Sequence, residues 1–107
     1  MCITKVLSHK GTTMIHRCAE CHSLFIWNNN LILSFTADKF VEFKRGAAEL
    51  DFFTDSFPFP DGVDRVVMRT PLKDIQLVFT RDEWADFNEA MEESQYMMEV
   101  YALTEGH

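Results

Sequence analysis

Apolar and polar positions alternate through the first third of the chain, and the period then lengthens to three or four residues. "ITKVLS" (3–8) and "TTMIHR" (12–17), split by Lys10-Gly11, read as an N-terminal hairpin. "HSLFIW" (22–27) and "LILSF" (31–35) flank three asparagines and read as a second hairpin. Asparagine tolerates positive φ, so a two-residue turn at Asn28–Asn29 is expected. That register pairs Ile26 with Leu31 and Leu24 with Leu33, and it sets Phe25 opposite Ile32 on the other face. From Thr36 onward the period is helical, with Phe40, Phe43, Ala47 and Leu50 on one stripe.

The pattern then repeats. "LILSFTADKFVEFKRGAAEL" (31–50) lies over "IQLVFTRDEWADFNEAMEES" (75–94) at an offset of 44 residues without a gap. Leu33 falls on Leu77, Phe35 on Phe79, Thr36 on Thr80, Phe40 on Trp84 and Phe43 on Phe87. This reads as two copies of one strand–strand–helix unit. The second copy pairs Met68 with Leu77 and Val66 with Phe79 around a turn at Leu72–Lys73. Its helix buries Trp84, Phe87, Met91 and Met98 and runs to about Leu103. Thr36 and Thr80 are N-caps, and "TRDE" at 80–83 is a full capping box.

The expected fold class is α+β: a tandem β-β-α duplication forming an antiparallel sheet with two helices on one face, plus an N-terminal β-hairpin. The chain is read as one domain, with hairpin 2–18, repeat one 22–50, an aromatic loop 51–64 and repeat two 65–103. The loop carries Phe52, Phe53, Phe57 and Phe59 and is expected to cover the core edge; a docking surface is the alternative.

The outer faces of the two hairpins differ. Copy one presents Phe25, Trp27 and Ile32, where copy two presents Arg69, Pro71 and Gln76. An apolar outer face has to be covered. The expectation is that the N-terminal hairpin folds over it with Ile3, Val6, Met14 and Ile15; another chain is the alternative. Met97, Val100 and Tyr101 widen the apolar stripe of the last helix into a candidate dimer contact. The first helix is basic (Lys39, Lys44, Arg45) where the second is acidic, so the two attract if they lie side by side.

Net charge is −7, and no basic stripe stands out, which argues against a nucleic-acid partner. No run reaches the roughly 18 apolar residues of a membrane span, so no membrane role is expected. "MCITKVLSHKGTT" has no apolar signal region, and the expected compartment is the cytoplasm.

The chemistry that the sequence offers is concentrated in Cys18-Ala19-Glu20-Cys21-His22. The five residues fit a c-type haem attachment signature, but that reaction needs an exported chain and a following helix, neither of which the pattern supplies. Zinc is the better-placed metal. Cys18 and Cys21 would give two thiolates from a turn, Cys2 a third, and His22, His9 or His16 the fourth ligand. A redox dithiol is a third reading, weakened by Glu20 between the thiols. The remaining reading is two small residues closing a turn. The serines show no nucleophile elbow, and the carboxylates of the second helix fall on its polar side, so no catalytic residue is singled out.

Cys2, Cys18, Cys21, Asn30, Leu31, Leu33, Thr36, Phe40 and Phe43 together resemble a family of short bacterial proteins grouped as a domain of unknown function. The resemblance implies no activity. His22 is not part of the pattern, which weighs further against haem. The sequence thus reads as a non-enzymatic binding or assembly module without a cofactor, pairing with itself or with another protein. A zinc protein is the alternative, and a Cys18/Cys21 redox protein the second.

Overall fold

The computed structural model describes residues 3–105. Strands β1 (Thr4–Lys10), β2 (Thr13–Cys18), β3 (Leu24–Asn28) and β4 (Leu31–Phe35) form an antiparallel meander in the order β1-β2-β3-β4. Helix α1 (Ala37–Ala48), a single turn α2 (Phe52–Asp55) and the two-residue β5 (Phe57–Pro58) follow. Strands β6 (Asp64–Arg69) and β7 (Gln76–Phe79) complete a second antiparallel sheet, β5-β6-β7, and α3 (Arg81–Glu105) ends the described chain. The protein is α+β with an N-terminal hairpin, and its strands lie in two sheets. Each repeat hairpin rests on its own helix, and α3 touches both sheets.

The N-terminal hairpin turns where the sequence places it. Gly11 takes φ 55, a left-handed conformation that suits glycine. A Cβ there would also run into the carboxylate of Asp86 on α3. Between Val6 and Ser8 the β1–β2 register shifts. The bulge turns two consecutive residues, Leu7 and Ser8, inward, and both are buried.

The hairpin of β3 and β4 corrects the expected turn by one residue. Asn29 carries the positive φ, 55, and the pairs are Ile26 with Leu33, Leu24 with Phe35 and Phe25 with Ser34. Because the slip in register is two residues, every side chain keeps its face. Leu24, Ile26, Leu33 and Phe35 are buried, as the alternation requires. The second hairpin has the expected register, Val66 with Phe79 and Met68 with Leu77. Its connection is wider than a two-residue turn. The Thr70 hydroxyl accepts the Leu72 N–H at 3.2 Å and lies 2.7 Å from the Ile75 carbonyl, to which it donates.

Both helices are capped as the sequence predicts. The Thr36 hydroxyl accepts the Lys39 N–H at 3.2 Å. At α3 the box is reciprocal: Thr80 N–H donates to Glu83 Oε1 at 2.8 Å, and Glu83 N–H to the Thr80 hydroxyl at 3.4 Å.

The two units make matching contacts. Phe35 lies on Phe43 at 4.9 Å between ring centroids and 36° between planes, and Phe79 lies on Phe87 at 4.5 Å and 37°. One core runs through both sheets and both long helices. Lys44 of α1 reaches Glu92 of α3 at 2.9 Å, so the basic and acidic helices do meet.

The N-terminal hairpin does not fold over the outer face. β2 pairs along the whole of β3, so the hairpin widens the sheet instead of covering it. Backbone donors and acceptors of β3 take precedence, since an unpaired strand edge inside a fold is costly. Ile15 therefore points into the core, and Ile3 and Val6 are exposed.

Candidate functional site

The cysteine turn is built by the end of β2. Cys18 N–H donates to the Ser23 carbonyl at 2.9 Å and His22 N–H to the Cys18 carbonyl at 3.0 Å, closing the turn on itself. His22 takes φ 61 to do so. Ala19 N–H donates to the Ile3 carbonyl at 2.7 Å, which ties the start of the described chain to this turn.

The two thiols differ. Cys18 is fully buried, and its sulfur accepts the Cys21 N–H at 3.4 Å. Cys21 is exposed, and its thiol lies 3.4 Å from the Ser23 hydroxyl. His22 Nδ1 is 2.6 Å from Arg17 Nη2. A guanidinium can only donate, so Nδ1 accepts and the ring proton is on Nε2. In this arrangement neither ring nitrogen offers a lone pair to a metal or a haem iron. Burial of Cys18 likewise withholds its sulfur from a porphyrin or an incoming disulfide. Among the described residues no three His, Cys, Asp or Glu side chains gather where a metal ion could be held. Cys2 lies outside the described residues.

His9 and His16, the other candidate ligands, belong to the outer face of the four-stranded sheet. One rung there is Val6–His16–Phe25–Ser34 and the next His9–Met14–Trp27–Ile32. His16 stacks on Phe25 with centroids 5.1 Å apart, and burial pushes its pKa below the ordinary 6.5. Val6 and Ile32 are each 54% exposed and Trp27 43%. The Trp27 indole donates to the Asn29 carbonyl at 2.7 Å, which fixes the ring across the hairpin end. Of seventeen acidic residues in the chain, none lies on these two rungs.

Met97 and Tyr101, read from the sequence as interface residues, pack against the chain's own core, and Lys5 Nζ lies 4.6 Å from the centre of the Tyr101 ring. The aromatic loop divides. Phe52 packs on the core; Phe53 and Phe57 are exposed, with Arg81 over the Phe53 ring and Phe57 stacked on Phe59. Arg65 donates to Asp61 at 2.9 Å, and that bond holds the Asp61 carboxyl below the usual range.

Sequence reasoning missed the polar contact that ties β1 to α3. The Ser8 hydroxyl is 2.7 Å from the Ala90 carbonyl and 2.6 Å from the Ser94 hydroxyl, all buried. The available signal was Ser94 itself, a hydroxyl on the stripe of Phe87 and Met91.

Compared with protein-family models, curated proteins and solved structures, the chain matches none. No helix among the described residues is long and apolar enough to cross a membrane.

Proposed function

We propose that the chain is a non-enzymatic binding or assembly module of the cytoplasm, and that it pairs with a second copy through the outer face of its four-stranded sheet. One observation carries this reading: Trp27 and Ile32 remain exposed side by side on one rung, with Val6 exposed on the neighbouring rung, because the N-terminal hairpin extends the sheet instead of covering its face. Two copies of a chain of net charge −7 repel at most approaches. Its two central rungs carry no carboxylate and present Trp27 beside Ile32, so the face suits an isologous contact.

Light scattering tests it. The expected mass is about twice 12.5 kDa. Trp27→Lys or Ile32→Lys returns the single mass with an unchanged circular dichroism spectrum. A wild-type chain that stays single at high micromolar concentration overturns the proposal.

A second reading, a small zinc protein using Cys2, Cys18, Cys21 and His22, draws support from the Cys21 N–H aimed at the Cys18 sulfur and from the Ile3–Ala19 bond, which brings the N-terminal strand to the turn. It requires His22 to leave Arg17. It predicts about one metal equivalent per chain and a melting temperature that falls with chelator.

A further inference from the structure

The two strand–strand–helix units agree in their hairpins and caps, and they differ in what flanks the first strand. β3 is paired by β2 over Leu24–Asn28, and β2 by β1. The inner side of that added hairpin packs on the helix of the other unit, where Ser8 meets Ala90 and Ser94. On that side β6 is paired by the stub β5, at Arg65 and Asp64, and the single turn α2 packs against it. Along the rest of that edge, Val66–Arg69, no strand is paired among the described residues.

The helix facing this gap carries an unexplained residue. The position matching Ala90 on α1, 44 residues earlier, is Gly46. Glycine inside a helix costs roughly 0.5–1 kcal/mol against alanine. Nothing among the described residues calls for it: its φ is not positive, and an added Cβ would meet no atom beyond its own helix turn within 4 Å. Gly46 instead opens onto two grooves, of about 600 Å³ and 420 Å³, which share Gly46, Met68 and Arg69. The first also has Lys39 and Glu42, which pair with each other at 3.4 Å, so its excess charge is that of Arg69. The second has Glu49 and Asp55, two carboxylates against the one cation Arg69.

We propose that this gap receives one extended segment of a partner protein, added to β6 as an antiparallel strand in the place that the N-terminal hairpin takes in the other unit. β6 runs from Val67, which shares a groove with Glu49 and Asp55, toward the cation Arg69. An antiparallel segment is therefore acidic at its N-terminal end and basic at its C-terminal end, with apolar residues facing Gly46 and Met68. A second copy offers the same unpaired Val66–Arg69 edge, so a dimer mass that Gly46→Leu returns to the single value assigns the gap to that occupant and overturns the proposal. The site does not depend on the outer sheet face.

The test uses the full chain and two fluorescein-labelled hexapeptides, acetyl-Glu-Thr-Val-Val-Thr-Lys-amide and its charge-reversed form with Lys first and Glu last. Anisotropy is expected to give saturable binding of the first, about tenfold tighter than the second. Gly46→Leu fills the gap and abolishes binding while the melting temperature stays level or rises. Arg69→Glu, on an exposed side chain, moves the preference toward the reversed peptide. Amide exchange at residues 66–69 slows when the first peptide is added. Equal affinity for the two peptides, no saturable binding up to millimolar concentration, or undiminished binding by Gly46→Leu overturns the proposal.

Discussion

The edge of one ring meets the face of the other where Phe43 of α1 touches Phe87 of α3, 6.3 Å between centroids and 84° between planes. The two residues occupy the same position in their respective units, and each also lies on its own strand phenylalanine, Phe35 or Phe79. The like parts of the two units therefore meet at one point in the core.

Truncating either ring tests that joint. Phe87 is fully buried and Phe43 nearly so, and Phe→Ala in a core costs about 3–5 kcal/mol. Phe87→Ala is expected at the upper end. The double variant should fall short of the sum by about 0.5–1.5 kcal/mol, the worth of an edge-to-face pair, as read by urea unfolding.

Ser8→Ala removes the donor to the Ala90 carbonyl and strands the Ser94 hydroxyl in the core. A loss of about 1–3 kcal/mol is expected. Adding Ser94→Ala should recover part of it, since one buried hydroxyl is then no longer left alone. Equal and additive losses would show that the two serines do not act together.

Gly11→Ala meets two penalties, a left-handed φ of 55 and the Asp86 carboxylate. The conformational term is about 1–2 kcal/mol and stays in an Asp86→Ala background, whereas the crowding term disappears there. Thermal unfolding of the four proteins separates them.

His16 makes stability depend on pH. Its folded pKa is lowered from 6.5 by burial against Phe25, so below that value the unfolded chain takes up more protons than the folded one. Stability is expected to fall as pH drops from about 7 toward 5. His16→Gln should flatten that decline in melting temperature, and an unchanged slope would assign it to other groups.

The alternation and the repeat disclosed most of this architecture, because both report a single preference: which side of an element leaves water. Leu24, Ile26, Leu33, Phe35, Val66, Met68, Leu77 and Phe79 all went inside as the pattern requires. The asparagine turn was misplaced by one residue because three consecutive asparagines offer equivalent turn chemistry, and only packing chooses among them. The placement of the N-terminal hairpin was not legible for a related reason. Strand pairing is a backbone interaction that leaves no mark in side-chain type, so lying beside β3 and lying over it look alike in the sequence. At the cysteine turn the residue types were visible, but burial of Cys18 and the Arg17–His22 bond are tertiary facts.

Ser8 and Ser94 are separated by 86 residues of chain, and their bond joins the first strand to the last helix. On a ribosome the four-stranded meander emerges early and its strands can pair at once. Its inner side, with Leu7, Ile15 and Ile26, stays wet until the segment around residue 94 has been made and released from the exit tunnel. Nascent chains stalled before that point should therefore be held by chaperones, and full collapse should await the emergence of α3.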